Sequence, residues 1–112
     1  MNHRFLRSPD GTITTFDAPG AGTAGYQGTG CFSDCAVSLN DWGAITGTYI
    51  DASGNYHGYL RRPEGRIVTV DPAGSIFTSP CGVNDEGAVT GTYADANNVY
   101  HVFVRIFRLM SL

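Results

Sequence analysis

The chain has 112 residues, enough for one domain with one modest core. Charged residues make up 15% of it and the net charge is −3, which argues against a nucleic-acid partner, where a basic face is expected. No stretch approaches the roughly 20 apolar residues that span a bilayer, and residues 1–11 carry no apolar segment of a secretory signal.

The chain repeats itself. Asn40 to His57 and Asn84 to His101 are offset by 44 residues and agree at 12 of 18 positions. His3 to Asp17 and His57 to Asp71, offset by 54, agree at 8 of 15. A period of this size signals a repeat architecture. Apolar and polar residues alternate with period two and no long window has a helical period, so the repeats are built of strands.

In chain order, His3 to Arg7 reads as a strand that ends at the turn Pro9-Asp10-Gly11. Thr12 to Asp17 is the next strand. The ten extra residues of the first repeat fall in the Gly-rich segment 19–33, read as a loop insertion on one face. A short strand at Ala36 to Asn40 leads into the turn Asn40-Asp41-Trp42-Gly43. Residues 43–50 and 56–61 form a hairpin around Asp51 to Asn55, with Ser53-Gly54 as its centre. That centre sets Tyr49 against Gly58, Thr48 against Tyr59 and Leu60 against Gly47. Gly54 and its counterpart Asn98 are the residue types that tolerate positive φ. Pro63-Glu64-Gly65 and the strand Arg66 to Asp71 repeat the opening pair, and Arg61, Arg62 and Arg66 with Glu64 read as a solvated charged turn. A loop then runs to a short strand at Cys81 to Asn84. The turn Asn84 to Gly87 and the hairpin Gly87 to Arg105 copy the first repeat, with Tyr93 set against Val102, Thr92 against Phe103 and Val104 against Gly91. Residues 102–112 form an apolar strand without its usual partner, an edge liable to pair with another chain. Both faces of the hairpins carry apolar or small residues, so both are expected to be covered.

The expected fold is therefore all-β: antiparallel four-stranded meander repeats, like the blades of a propeller, in a single domain 1–112. Repeat one spans about 3–56, repeat two about 57–100, and a truncated third 101–112. Two repeats are fewer than a repeat array normally needs. A fragment of a longer repeat protein, folded as an open stack of two sheets, is the first expectation and closure through a homo-oligomer, by exposed edge strands, the next.

Several motifs bear on chemistry. His3, His57 and His101 share one repeat position, and Asp51 and Asp95 stand six residues before a His. A catalytic site is needed once whereas a structural bond is needed in every unit, so each His is read as closing its hairpin onto an Asp or the backbone. Asp51-x-Ser53-Gly54-Asn55 has oxygen ligands at alternate positions but lacks the distal bidentate Glu of a calcium loop. No nucleophile elbow is present. Neither a metal nor a cofactor is expected. Cys31, Cys35 and Cys81 are odd in number, leaving at least one thiol free or paired outside the chain; a Cys31–Cys35 bridge and three separate thiols are the alternatives. Trp42, Tyr26 and Phe32 are the candidate ligand-binding residues, an aromatic platform for a sugar or peptide. Trp42 leads because Glu86 replaces it in the second copy.

The motifs Asn40-Asp41-x-Gly43-x-Ile45-x-Gly47-x-Tyr49, Asp51-x-x-Gly54-x-x-His57-Gly58-Tyr59-Leu60 and Thr15-Phe16-Asp17-Ala18-Pro19-Gly20-Ala21 resemble the HAF-type extracellular repeats of bacteria. The second copy departs at Asn98, at Val102 and at Asp71-Pro72-Ala73-Gly74. The resemblance implies a repeated, propeller-like β-structure in secreted or surface proteins and supplies no catalytic residues. The expected function is a non-enzymatic extracellular or cell-envelope module for structure or interaction, with a protein or glycan partner. The alternative is a glycan-binding module that uses the 19–33 loop and Trp42.

Overall fold

One turn, used six times among the described residues, shapes the chain. The structure, a computed structural model, describes residues 1–30 and 37–107. Residues 8–12, 40–44, 51–55, 62–66, 84–88 and 95–99 all close the same way. The first residue's carbonyl accepts the N–H of the fourth, and its own N–H donates to the carbonyl of the fifth. The fourth residue has positive φ: Gly11, Gly43, Gly54, Gly65 and Gly87, and Asn98 at 62°. This is a type I turn followed by a left-handed residue, the three-residue hairpin loop. Where the first residue is Asn or Asp, its side chain fastens the loop. Asp51 Oδ1, for example, accepts the N–H groups of Ser53 and Asn55, both at 2.9 Å.

Joined by these turns, the described residues form an all-β structure of ten strands without a helix. They are β1 (Arg4–Arg7), β2 (Ile13–Phe16), β3 (Gly28–Thr29), β4 (Ser38–Leu39), β5 (Ile45–Ile50), β6 (Tyr56–Arg61), β7 (Ile67–Val70), β8 (Ser75–Val83), β9 (Ala88–Asp95) and β10 (Tyr100–Ile106). β1 and β2 are a separate hairpin. β4, β5, β6 and β7 pair antiparallel in chain order, and so do β8, β9 and β10. A single parallel bridge, Tyr56 to Phe77, links the two groups. The strand path ends at β10 and β3 and does not close.

Hairpin register differs from the expectation by one residue. Tyr59 faces Gly47, Gly58 faces Thr48 and His57 faces Tyr49; in the copy, Phe103 faces Gly91 and His101 faces Tyr93. The cause is loop length: Ala52, Ser53 and Gly54 form a three-residue loop, not a two-residue one centred on Ser53-Gly54. A slip of one residue moves every side chain to the other face. The device of a large side chain over a glycine persists with different members. The Tyr59 ring lies so close over Gly47 that a Cβ there would come within 2.9 Å of its hydroxyl.

The second departure is β8. Residues 75–80, expected as loop, are strand, and Pro80 is accommodated at a bulge between Pro80 and Gly82. In the first repeat two short strands do the work of this one. Thr29 of β3 pairs with Tyr49 as Thr78 of β8 pairs with Tyr93, and Leu39 of β4 pairs with Ile45 as Val83 pairs with Val89. The repeat offset is therefore 54 at Asp17, 49 at Thr29 and 44 at Leu39, so the insertion enters in two steps. Cys31, Phe32 and Cys35 lie outside the described residues; Cys81 is a free, exposed thiol.

Layers follow from strand parity. One face of β5–β6–β7 (Ile45, Tyr49, Tyr59, Ile67) packs on Leu6 and Phe16 of the β1–β2 hairpin. The opposite face (Leu60, Val68, Val70) packs with Ala44 on Val83, Val89 and Phe103 of the next group. All six residues of β5 are buried, as expected for a sheet covered on both sides. Arg61, expected in a solvated patch, instead holds its guanidinium over the Phe16 ring, 5.1 Å from its centroid.

Candidate functional site

The recurring histidines sit where the turns meet the strands. His57 lies on β6 opposite Tyr49, whose ring it flanks at 5.0 Å between centroids. Its Nε2 is 2.7 Å from Asp51 Oδ2, in the turn before β6, and its Nδ1 is 2.7 Å from Asp71 Oδ2, just past β7. The other oxygen of Asp71 accepts the Gly58 N–H. One imidazole thus ties three consecutive pieces of chain together. The same bonds recur singly elsewhere: His101 Nε2 to Asp95 at 2.9 Å, and His3 Nδ1 to Asp17 at 2.8 Å.

Electrostatics follow the geometry. Partial burial by itself would lower the His57 pKa, but hydrogen bonds to Asp51 and Asp71 and the two negative charges outweigh it, so the pKa is raised. The bond from His57, with the backbone donors of the turn, lowers the pKa of Asp51; the bond from His101 does the same for Asp95. The imidazolium form of His57 donates from both nitrogens. With both engaged, neither ring nitrogen is presented to a substrate for proton transfer. Asp51 is likewise committed, one oxygen to its turn and the other to His57. Among the described residues no three His, Cys, Asp or Glu side chains are arranged to hold a metal ion.

Equivalent turns of the two repeats are clasped together, which the sequence reading missed. Asn40 Nδ2 donates to the Asn84 carbonyl at 2.9 Å, and the Asp41 N–H donates to Asp85 Oδ1 at 2.8 Å. Ser38 Oγ accepts the Val83 N–H. Asp85 beside Asp41, through a shared hydrogen bond and then its charge, raises the Asp41 pKa. The signal in the sequence is the Asn-Asp pair recurring at an offset of 44, which by itself specifies a turn and not its partner.

The aromatic candidates are spread out. Trp42 is 50% exposed in the turn before β5. Tyr26, also exposed, precedes β3, which pairs with the far end of β5 at Ile50. The length of β5, about 17 Å at 3.3 Å per residue, separates the two ends, and Phe32 lies outside the described residues. The cleft beside His57, lined by Asn55, Tyr56, Ser75 and Ile76, holds about 190 Å³, below the usual size of a small-molecule site. A shallower hollow of about 440 Å³ lies among Ser38, Gly82, Ala88, Thr90 and Val104. No protein-family model, curated protein or solved structure matches this chain.

Proposed function

We propose that the chain is a non-enzymatic β-repeat module for structure or interaction, of the extracellular or cell-envelope kind implied by its resemblance to HAF-type repeats. The observation that carries this reading is the fate of the recurring polar residues. His57 has both ring nitrogens on carboxylates, Asp51 both oxygens on its turn and that His, and Asn40 its amide on the next repeat. Residues engaged in this way build and join units. Antiparallel pairing of β4 to β7 in chain order supports a blade-like unit, and face-to-face contact of the second unit with it supports stacking.

The test is a screen for turnover on polysaccharides and peptides with wild type and Asp71→Asn. Absence of turnover together with a lowered melting temperature in the variant agrees with a structural module. Turnover abolished by Asp71→Asn at unchanged stability would overturn it.

A second reading rests on Trp42, whose indole is half exposed on a turn already fastened by Asn40 Oδ1 to the N–H groups of Trp42 and Ala44. A fold-independent exposed indole suits stacking on a sugar ring. Binding in an oligosaccharide panel, lost in Trp42→Ala at unchanged melting temperature, would favour this glycan-binding reading.

A further inference from the structure

The β1–β2 hairpin, β5–β6–β7 and β8–β9–β10 stack in one direction, and each end of the stack leaves open a face that its counterpart inside the molecule has covered. At the C-terminal end the open face belongs to β8–β9–β10. Register places Gly82, Thr90 and Val104 side by side on it, followed by Thr92 with Val102 and Ala88 with Ile106. Val102 is 80% exposed and Val104 65%. The positions 44 residues earlier are Gly58 and Leu60, and Leu60 is completely buried against the second unit. At the N-terminal end the open face is that of the β1–β2 hairpin, where Phe5 is 67% and Ile13 61% exposed. Their counterparts 54 residues later, Tyr59 and Ile67, face the preceding hairpin, and Tyr59 is fully buried there.

We infer that these two end faces are the halves of one head-to-tail interface, and that the partner is a second copy of this chain. The same contact exists twice inside the molecule: β1–β2 on β5–β6–β7, and β5–β6–β7 on β8–β9–β10. In the second contact Phe103, the counterpart of Tyr59 and Phe5, lies against the Leu60 side of the preceding unit. Phe5 of a second copy takes the same place against Val104. One difference fits this partner. Inside the molecule Gly58 leaves room for Pro80 of β8, whose ring carbon would lie 2.7 Å from a Cβ at that position. The β1–β2 hairpin brings no counterpart of Pro80, and Val102 fills that room. The hollow of about 440 Å³ beside Val104 opens on this face at Gly82, Ala88 and Thr90 and reaches the β8 edge at Ser38 and Val83, and it receives the hairpin's apolar side chains. An interface of this kind joins two different patches, so each bound copy presents a fresh pair of ends and assembly proceeds to rings or open filaments.

The inference rests on the stacking-module reading but is tested separately from it, because it concerns assembly and not turnover. The experiment is light scattering over a range of protein concentrations on wild type, on V102E/V104E, which blocks one end, and on F5E/I13E, which blocks the other. Wild type should rise with concentration above the monomer mass of 11.9 kDa. Each double variant alone should stay monomeric, its association weakened at least tenfold. An equimolar mixture of the two should recover a dimer, because each supplies the end that the other lacks. Circular dichroism checks folding, and V102T/V104T with F5S/I13T repeat the test if a glutamate pair unfolds the chain. A wild type that is monomeric at all concentrations overturns the inference. So does a V102E/V104E monomer that F5E/I13E fails to rescue while F5E/I13E still dimerises on its own, which is edge-to-edge or face-to-face pairing of β10 with β10.

Discussion

At the scale of single residues, His57 and His101 occupy the same repeat position with unequal bonding. His57 bridges Asp51 and Asp71, whereas His101 is bonded to Asp95. His57→Ala should therefore lower stability by about 1–2 kcal/mol, a range already reduced for the partly exposed site, and His101→Ala by less; melting temperatures at pH 6 check the order. The pH dependence has a definite sign. The folded-state pKa of His57 is raised, so its contribution is complete below the unfolded value near 6.5 and fades as pH rises through the folded value. The pKa values of Asp51 and Asp95 are lowered, so their contribution is present above about 3.9 and fades as pH falls through the folded values. Stability should form a plateau between these limits. In His57→Gln the alkaline decline that begins near pH 6.5 should disappear while the acid limb, which Asp95 still feeds, remains. An alkaline limb unchanged in that variant would assign the decline to another group.

At the scale of elements, the turns were the part most legible in sequence, and their length was what the sequence hid. Gly54 and Asn98 are residue types that tolerate positive φ, and both adopt it. The loop holds three residues and not two, and Asp51, whose side chain reaches the N–H groups of Ser53 and Asn55, fastens it. Loop length decides which face Tyr59 takes. β8 is hidden for a different reason: Pro72, Gly74 and Pro80 have the composition of a loop, yet the bulge at Pro80 lets the strand continue. In the candidate site, the His–Asp pairing was legible from its recurrence, while the clasp between repeats was not, because an Asn-Asp turn has no marker for what its outer amide will meet. The clasp makes equivalent turns unequal. Asn40 fastens its own loop through Oδ1 and the next repeat through Nδ2, whereas Asn84 fastens its own loop through Oδ1. Asn40→Ala should cost about 2–3 kcal/mol and Asn84→Ala about 1 kcal/mol. Urea midpoints would measure the difference, and equal costs would mean that the bond from Asn40 Nδ2 to the Asn84 carbonyl contributes nothing.

At the scale of the whole molecule, stability is shared between neighbours, as in other stacked repeats where each unit contacts the units beside it. Among the described residues only the middle sheet, β5–β6–β7, has both faces covered, by the first hairpin on one side and by β8–β9–β10 on the other. Its residues should therefore dominate the unfolding transition. Leu60 and Val104 test this, since they hold the same place in successive repeats and differ in what covers them. Leu60→Ala opens a cavity between units and should cost about 2–5 kcal/mol. Val104→Ala, in dilute solution, should change stability by no more than about 0.5 kcal/mol, as for a surface substitution. Raising the protein concentration separates the two further. If the β10 face is covered by a second copy, the melting temperature of wild type climbs with concentration by mass action, and Val104→Ala acquires a cost that it lacks in dilute solution. Leu60→Ala, whose contact is internal, keeps the same deficit at every concentration. A Val104→Ala deficit as large in dilute solution as that of Leu60→Ala would show the β10 face to be covered within the monomer, and the stack to be closed.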